Sequence, residues 1–317
     1  MCGISGTIFK SDFNRGIQIK ITEMENCLKQ VRSGKSNVDR LLDMAWKYKS
    51  NINFLRFFNS NNERKKLHLF SEKIKSYSNI VLDEIKNIDK NKSPQIFVEK
   101  YSDYEKLLDI NWFLSNEPEK LFEGINSISG DNDLEDSSVI FYKTVYTILS
   151  SMDNRLEIRG RDSLGICIQI ELKSEPKNSK SELSNDLSEH IIFESFSSKS
   201  VITFVFKTAN RVGSLGDNCS VIIDKIKKCK HLHEFVINDN IESATVVSHT
   251  RWASVGDVSI SNCHPISNLN TNLDIKEPLI YASLNGDIHN YRELIKTSEY
   301  DLKALDSKCT TDCLSIP

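Results

Sequence analysis

The chain opens MCGISGTIFK, residues 1–10. Its mixture of β-branched and apolar residues with glycines reads as a short buried strand ending near Lys10. Cys2 stands directly behind the initiator methionine, so removal of Met1 would leave a thiol and a free α-amine on one residue. Thiols attack as thiolates, and a base must take the proton. An α-amine, with a pKa near ~8, can do so from the same residue, directly or through a water. Taken alone, Cys2 reads as an incidental small residue. The question is whether the rest of the chain supplies partners for it.

Outward from that strand the texture changes. From residue 16 to residue 140, runs such as IQIKITEMENCLKQVRSG, NVDRLLDMAWKYKSNINFLRFF and KKLHLFSEKIKSYSNIVLDEIKNI set apolar residues at helical spacing between charges. This predicts a helical insertion that carries no catalytic signature, with residues 1–15 and 141–317 forming the other domain. A helix is also expected in SSVIFYKTVYTILSSMDNRLEI, followed by a turn at RGRDS and a strand in LGICIQIEL. Residues 173–189, KSEPKNSKSELSNDLSE, read as an exposed loop. A strand in SVITFVFK and a helix in NCSVIIDKIKKC come next. SATVVSHTRW and PLIYASLNG then read as strands running into polar residues, the place where functional groups commonly sit.

These two strand exits, and the later string TTD, carry groups suited to acyl chemistry. SHTRWASVG (248–256) offers Arg251, whose planar fork suits a carboxylate; its bland alternative is a surface ion pair. LNGDIHNYREL (284–294) offers the amide of Asn285 and the N–H of Gly286, two donors of the kind that stabilise an oxyanion. A simple Asn-Gly turn is the alternative there. TTD (310–312) offers Asp312, which can hold an ammonium or can cap a helix.

Taken in order, MCGISG, RLEIRGRDSLGI, HTRWASVG, NCHPIS, SLNGDIHNY and TTD resemble the class II glutamine amidotransferases of the N-terminal nucleophile hydrolase group. The HTRWA string is most similar to the glutaminase domain of the glucosamine-6-phosphate synthases. The resemblance covers residues 1–10, about 154–170 and 246–317. It implies an α+β fold, the four-layer αββα sandwich of two antiparallel sheets between helical layers. It also implies roles: Cys2 as nucleophile after loss of Met1, and Asn285 with Gly286 as the oxyanion hole. Arg251 would grip the glutamine α-carboxylate and Asp312 the α-ammonium. Arg159 would support the site, and Trp252 would stand at the exit of the glutamine pocket. Ser254 occupies the position where the family has threonine, and Val255 one that is often histidine.

The implied reaction releases glutamate and ammonia through a cysteinyl thioester and needs no metal and no organic cofactor. In the resembled synthases a sugar-isomerase-type module uses the ammonia to convert fructose 6-phosphate and can mediate homo-oligomerisation. That module is absent from this chain, which is expected to be an excised domain or an incomplete product. The competing reading is an idle amidotransferase fold serving as an interaction or regulatory module.

The bulk properties agree with an enzyme of this kind and exclude some other classes. The 317 residues are 39% hydrophobic and 27% charged, ample for a buried core. Forty-one basic against 44 acidic side chains give a net charge of −3, no basis for nucleic acid or an anionic membrane as partner. No stretch reaches the ~20 apolar residues of a membrane span, and no secretory signal opens the chain. A cytoplasmic location follows as the expectation. The eight cysteines are scattered without a CxxC pair, so most are expected as free thiols in or near the core, and a zinc site is not expected.

Overall fold

The structure is a computed structural model. It describes residues 2–10, 16–89, 93–130, 133–174, 176, 182–183, 188–196, 199–209, 214–238, 241–268, 279–297 and 308–317. The chain is a mixed α+β protein in two compact units, residues 12–124 and residues 1–11 with 125–317.

The second unit is built on one antiparallel sheet. Its strands are β1 (Gly3–Lys10), β2 (Ser163–Leu172), β3 (Glu182–Leu183), β4 (Glu189–Phe196), β5 (Lys199–Thr208) and β6 (Ile241–Arg251), in the order β1-β6-β2-β5-β4-β3. The opening stretch is thus an edge strand laid against β6, with Gly3 opposite Thr250 and Phe9 opposite Ala244. On its other side β6 pairs with β2, Ser163 opposite Arg251.

Both faces are covered along the first part of β2, where Ser163 to Ile168 are all buried; beyond it the strand alternates, with Gln169 and Glu171 half-buried between Ile168, Ile170 and Leu172. One face presents Phe9, Val246, Ile166, Ile168, Ile170 and Phe204. It packs under α6 (Asp136–Ser151), α7 (Asp217–Lys228) and α8 (Lys230–Asn238). Phe9 meets Phe141 of α6 edge-to-face, with centroids 6.3 Å apart. Tyr142 of the same helix shares a 2.6 Å hydrogen bond with His233 of α8. The other face is roofed by the chain from residue 262 to 268 and by 279 to 284. These segments pair as β7 (Ile266–Ser267) and β8 (Tyr281–Ala282). Tyr281 stacks on His190 of β4, and the Leu279 N–H donates to the Glu194 carboxylate at 2.8 Å. Ile266 and Ala282 continue into an apolar cluster with Cys313 and Leu314.

Gly165 is where the roof comes closest. A Cβ on it would lie 2.0 Å from the His264 carbonyl oxygen, well inside contact distance, so only glycine lets that loop rest on β2.

The first unit is helical: α1 (Ile21–Arg32), α2 (Val38–Tyr48), α3 (Asn51–Asn59), α4 (Asn61–Lys86) and most of α5 (Pro94–Ser129). Met24, Leu41, Phe57, Leu67, Phe70, Ile74, Leu107 and Ile110 form its core. Asn37 caps α2 and Ser60 caps α4 through their side chains. Buried Asn53 ties the α2–α3 turn to the preceding segment, accepting from the Ile19 N–H and donating to the Ile17 and Lys47 carbonyls.

Several sequence expectations need correction. The units divide at 124/125, not at 140/141. Val139, Phe141, Tyr142 and Val145 of α6 are fully or almost fully buried in the sheet unit, so a boundary at 140 would cut that helix. The 173–189 loop contains β3, which pairs with His190 and Ile191; residues 175, 177–181 and 184–187 lie outside the described residues. The strand expected in PLIYASLNG is limited to Tyr281–Ala282, and Asn285-Gly286 forms a bend leading towards α9 (Tyr291–Thr297), not a hairpin. β4 and α8 are additions. All eight cysteines are thiols, six of them buried. No described helix is long and apolar enough to cross a membrane.

Candidate active site

Register brings the first motif to the third. Because Gly3 pairs with Thr250, Cys2 falls beside the end of β6. The Gly3 N–H donates to Thr250 Oγ1 at 3.1 Å, and Thr250 Oγ1 in turn donates to the Leu156 carbonyl at 3.1 Å. A side chain at position 3 would put its Cβ 2.6 Å from that of Leu156, which explains a glycine directly behind the cysteine. Cys2 itself is half-buried. Its sulfur accepts from the Trp252 N–H at 3.4 Å, and its nitrogen donates to Asn285 Oδ1 at 3.2 Å.

The chain leaving β6 is held by RGRDS. The Asp162 N–H donates to the Arg251 carbonyl at 3.0 Å, while Asp162 Oδ2 accepts from the Ala253 N–H at 2.7 Å. Asp162 thus grips both sides of Trp252 and fixes the backbone that faces the thiol. Gly160 is a second enforced glycine, its virtual Cβ 2.8 Å from the backbone of Thr250 and Arg251. Arg159 ends a short 3₁₀ turn (Glu157–Arg159) with its side chain exposed, and among the described residues no bond joins it to Cys2.

Arg251 is buried at 3% exposure. Its guanidinium donates to the Asp257 carbonyl at 3.1 Å and to the Val255 carbonyl. Both partners are main-chain oxygens, which makes the side chain at position 255 irrelevant to the contact. A guanidinium has five N–H donors, so capacity remains for a carboxylate. Gly256 takes φ +80° in this loop, a conformation few other residues adopt.

Asp312 is likewise buried, at 4% exposure, and opens a 3₁₀ turn (Asp312–Ser315). Its Oδ2 accepts from the Ile288 N–H at 2.7 Å; its Oδ1 accepts from the Cys313 N–H at 3.0 Å and the Thr311 hydroxyl at 3.2 Å. A carboxylate accepts about four hydrogen bonds, so it has room for an ammonium donor. One end of the turn is therefore sewn to the chain just past Asn285 and Gly286. Those two residues are exposed, and a Cβ on Gly286 would meet only Leu284, at 3.9 Å. The glycine leaves open space and an accessible N–H.

Asn262 was not singled out in the sequence, although it stands in the NCHPIS string. It is fully buried and uses its whole amide. Oδ1 accepts from the Thr310 and Thr311 N–H groups at 2.6 and 3.0 Å; Nδ2 donates to the Asp257 carbonyl and to Thr310 Oγ1, both at 2.9 Å. Asp257, Asn262 and Thr311 thereby link Arg251 to Asp312. On the other side, Ser254 Oγ donates to Asp287 at 2.7 Å. Cys2, Trp252, Arg251, Asn285, Gly286 and Asp312 thus share one hydrogen-bonded rim, from which Arg159 is absent. Asp162 and Asn262 were hidden because their partners lie tens of residues away. Their places inside the RGRDS and NCHPIS strings were the available signal.

No family model matches the chain, and no solved structure matches it.

Proposed function

We propose that this chain is a glutamine-hydrolysing domain of the class II amidotransferase kind, working in the cytoplasm, with the αββα sandwich as its architecture. The observation that carries the reading is the meeting of Cys2 with Trp252 and Asn285 across 250 and 283 residues of sequence. The sheet of β1–β6, helices on one of its faces and the β7–β8 ladder over the other, supports the sandwich.

The chemistry begins with loss of Met1, which turns the Cys2 nitrogen into an amine able to accept the thiol proton. The thiolate attacks the glutamine side-chain carboxamide, forming the C–S bond. The resulting oxyanion is met by the Asn285 amide and the Gly286 N–H. The ammonium of Cys2 then gives its proton to the departing nitrogen; the C–N bond breaks and ammonia leaves a γ-glutamyl thioester. Water, losing a proton to the same amine, cleaves the thioester and frees glutamate. Arg251 and Asp312 hold the α-carboxylate and α-ammonium, and Trp252 lines the way out for ammonia. A sugar-isomerase-type module, joined to this domain or acting in trans, would take that ammonia for a sugar phosphate such as fructose 6-phosphate.

The test is intact mass before and after treatment with a diazo-ketone analogue of glutamine. The expected result is loss of Met1 and one adduct, mapped to Cys2. Retained methionine with no adduct would leave the idle-module reading standing instead.

A further inference from the structure

Two histidines buried behind the rim take no part in the chemistry above. His249 is at 0% exposure on β6, two residues before Arg251; His264, at 3%, lies in the loop that rests on Gly165. Their rings lie face to face at a tilt of 36°, with centroids 4.4 Å apart. Both bond to the residue before Asn285. The Leu284 N–H donates to His264 Nδ1 at 3.3 Å, and the Leu284 carbonyl bonds His249 Nε2 at 3.0 Å.

The roles on each ring are set by those partners. A nitrogen that accepts from an amide carries no proton, so neutral His264 has its hydrogen on Nε2. A nitrogen that bonds a carbonyl must carry one, so His249 is also the Nε2–H tautomer. Each ring then fixes a different peptide plane, His264 that of 283–284 and His249 that of 284–285. The Leu284 side chain packs on the Ile266–Ala282 cluster as a third anchor. The next residue is Asn285, whose Oδ1 lies 3.2 Å from the Cys2 nitrogen.

We infer that His249 and His264 are positioning residues: a neutral two-point clamp on Leu284 that aims Asn285 and the Gly286 N–H at the carbon attacked by Cys2. This rests on the glutaminase reading. Neutrality matters most at His264, since a proton on Nδ1 would abolish the acceptor for the Leu284 N–H. The charged groups facing the pair are cations, Arg251 towards both rings and Lys207 towards His264. Burial, aided by those charges, pushes His249 down to about 4 and His264 to about 2.

The experiment combines side-chain replacement with nitrogen NMR of the histidines. His249→Leu and His264→Leu remove the clamp; His249→Gln restores a donor near the Nε2 position, and His264→Asn an acceptor near Nδ1. The leucine variants should lose about 100-fold in kcat for glutamine hydrolysis, with KM changed less than about threefold, since misaligned oxyanion donors act on the transition state. The amide variants should recover to within about fivefold of wild type. In wild-type protein both rings should hold the Nε2–H tautomer unchanged from pH 8 to pH 5. A ring titrating near 6.5, the opposite tautomer, or folded leucine variants with full kcat would overturn the clamp. Wild-type protein that neither hydrolyses glutamine nor labels at Cys2 would overturn the glutaminase reading instead. Should the leucine variants fail to fold, the wild-type spectrum alone decides for or against the clamp.

Discussion

The helical unit and the sheet unit bury different chemistry. Among the described residues, the polar side chains buried within 12–124 are Asn53, Ser71 and Ser78. The sheet unit buries Glu157, His249, Arg251, Asn262, His264, Asp312 and more. A buried polar group costs stability unless it is paired, and here the pairs concentrate behind the end of β6. The difference teaches where the molecule accepts thermodynamic risk. Its helical unit is an apolar packing problem, whereas its sheet unit sacrifices apolar burial to hold a few side chains in fixed positions.

That contrast can be broken by experiment, beginning with the largest effect. Cys2→Ala should reduce glutamine turnover by more than about 1,000-fold while leaving the circular dichroism spectrum and melting curve of the sheet unit intact, because it removes the nucleophile and little packing. Persisting turnover would show that the thiol is not the attacking group. Phe70→Ala, in the middle of α4 and fully buried, should lower the stability of the helical unit by roughly 3–5 kcal/mol in a denaturant titration. Below its transition the rate of Cys2 labelling should stay unchanged. A large labelling defect would erase the distinction between the two kinds of interior.

Asn262→Ala should cost about 2–3 kcal/mol, since it strands the Thr310 and Thr311 N–H groups and a carbonyl in the interior. It should also slow labelling by loosening Arg251 from Asp312. Unlike Phe70→Ala it strikes stability and chemistry together. Per histidine and per pH unit, the smallest effect is acid sensitivity. His249 and His264 are depressed below their ordinary value near 6.5, so the unfolded chain binds protons that the folded chain refuses. Their stability contribution is complete above pH ~6.5 and is lost as pH falls towards 4 and then 2. The loss is on the order of 1.4 kcal/mol per pH unit per histidine. Urea midpoints from pH 7.5 to 4.5 should therefore fall for the wild type and flatten in His264→Asn; parallel curves would count against it.

Much of the scaffold was legible because its strands are buried on both faces. SVITFVFK is a near-continuous apolar run and LGICIQIEL sets an apolar residue at every second position, patterns that leave little alternative. EHIIFESF was not, for Glu189, His190 and Glu194 break the run and are accommodated only by tertiary partners such as Leu279 and Tyr281. The candidate site was legible as strings: Cys2, Arg251, Trp252, Asn285, Gly286 and Asp312 fall on a common rim. What holds them there was not. Asp162, Asn262 and the two histidines act across 20 to 91 residues, and no local pattern announces a bond of that span. Arg159 shows the converse, a residue that matched a motif but lies in solvent.

The hydrogen bond between the Cys2 nitrogen and Asn285 also orders events in time. Its partners are 283 residues apart, and ribosomes add roughly 5–20 residues per second. The thiol is therefore synthesised roughly 15–60 s before the amide that would accompany it in catalysis. During that interval the chain carries Cys2 without the Asn285 amide, so methionine removal can proceed before the proposed oxyanion donors exist. On the glutaminase reading proposed above, a nascent chain would stay chemically silent towards glutamine until the turn that carries Asp312 is made.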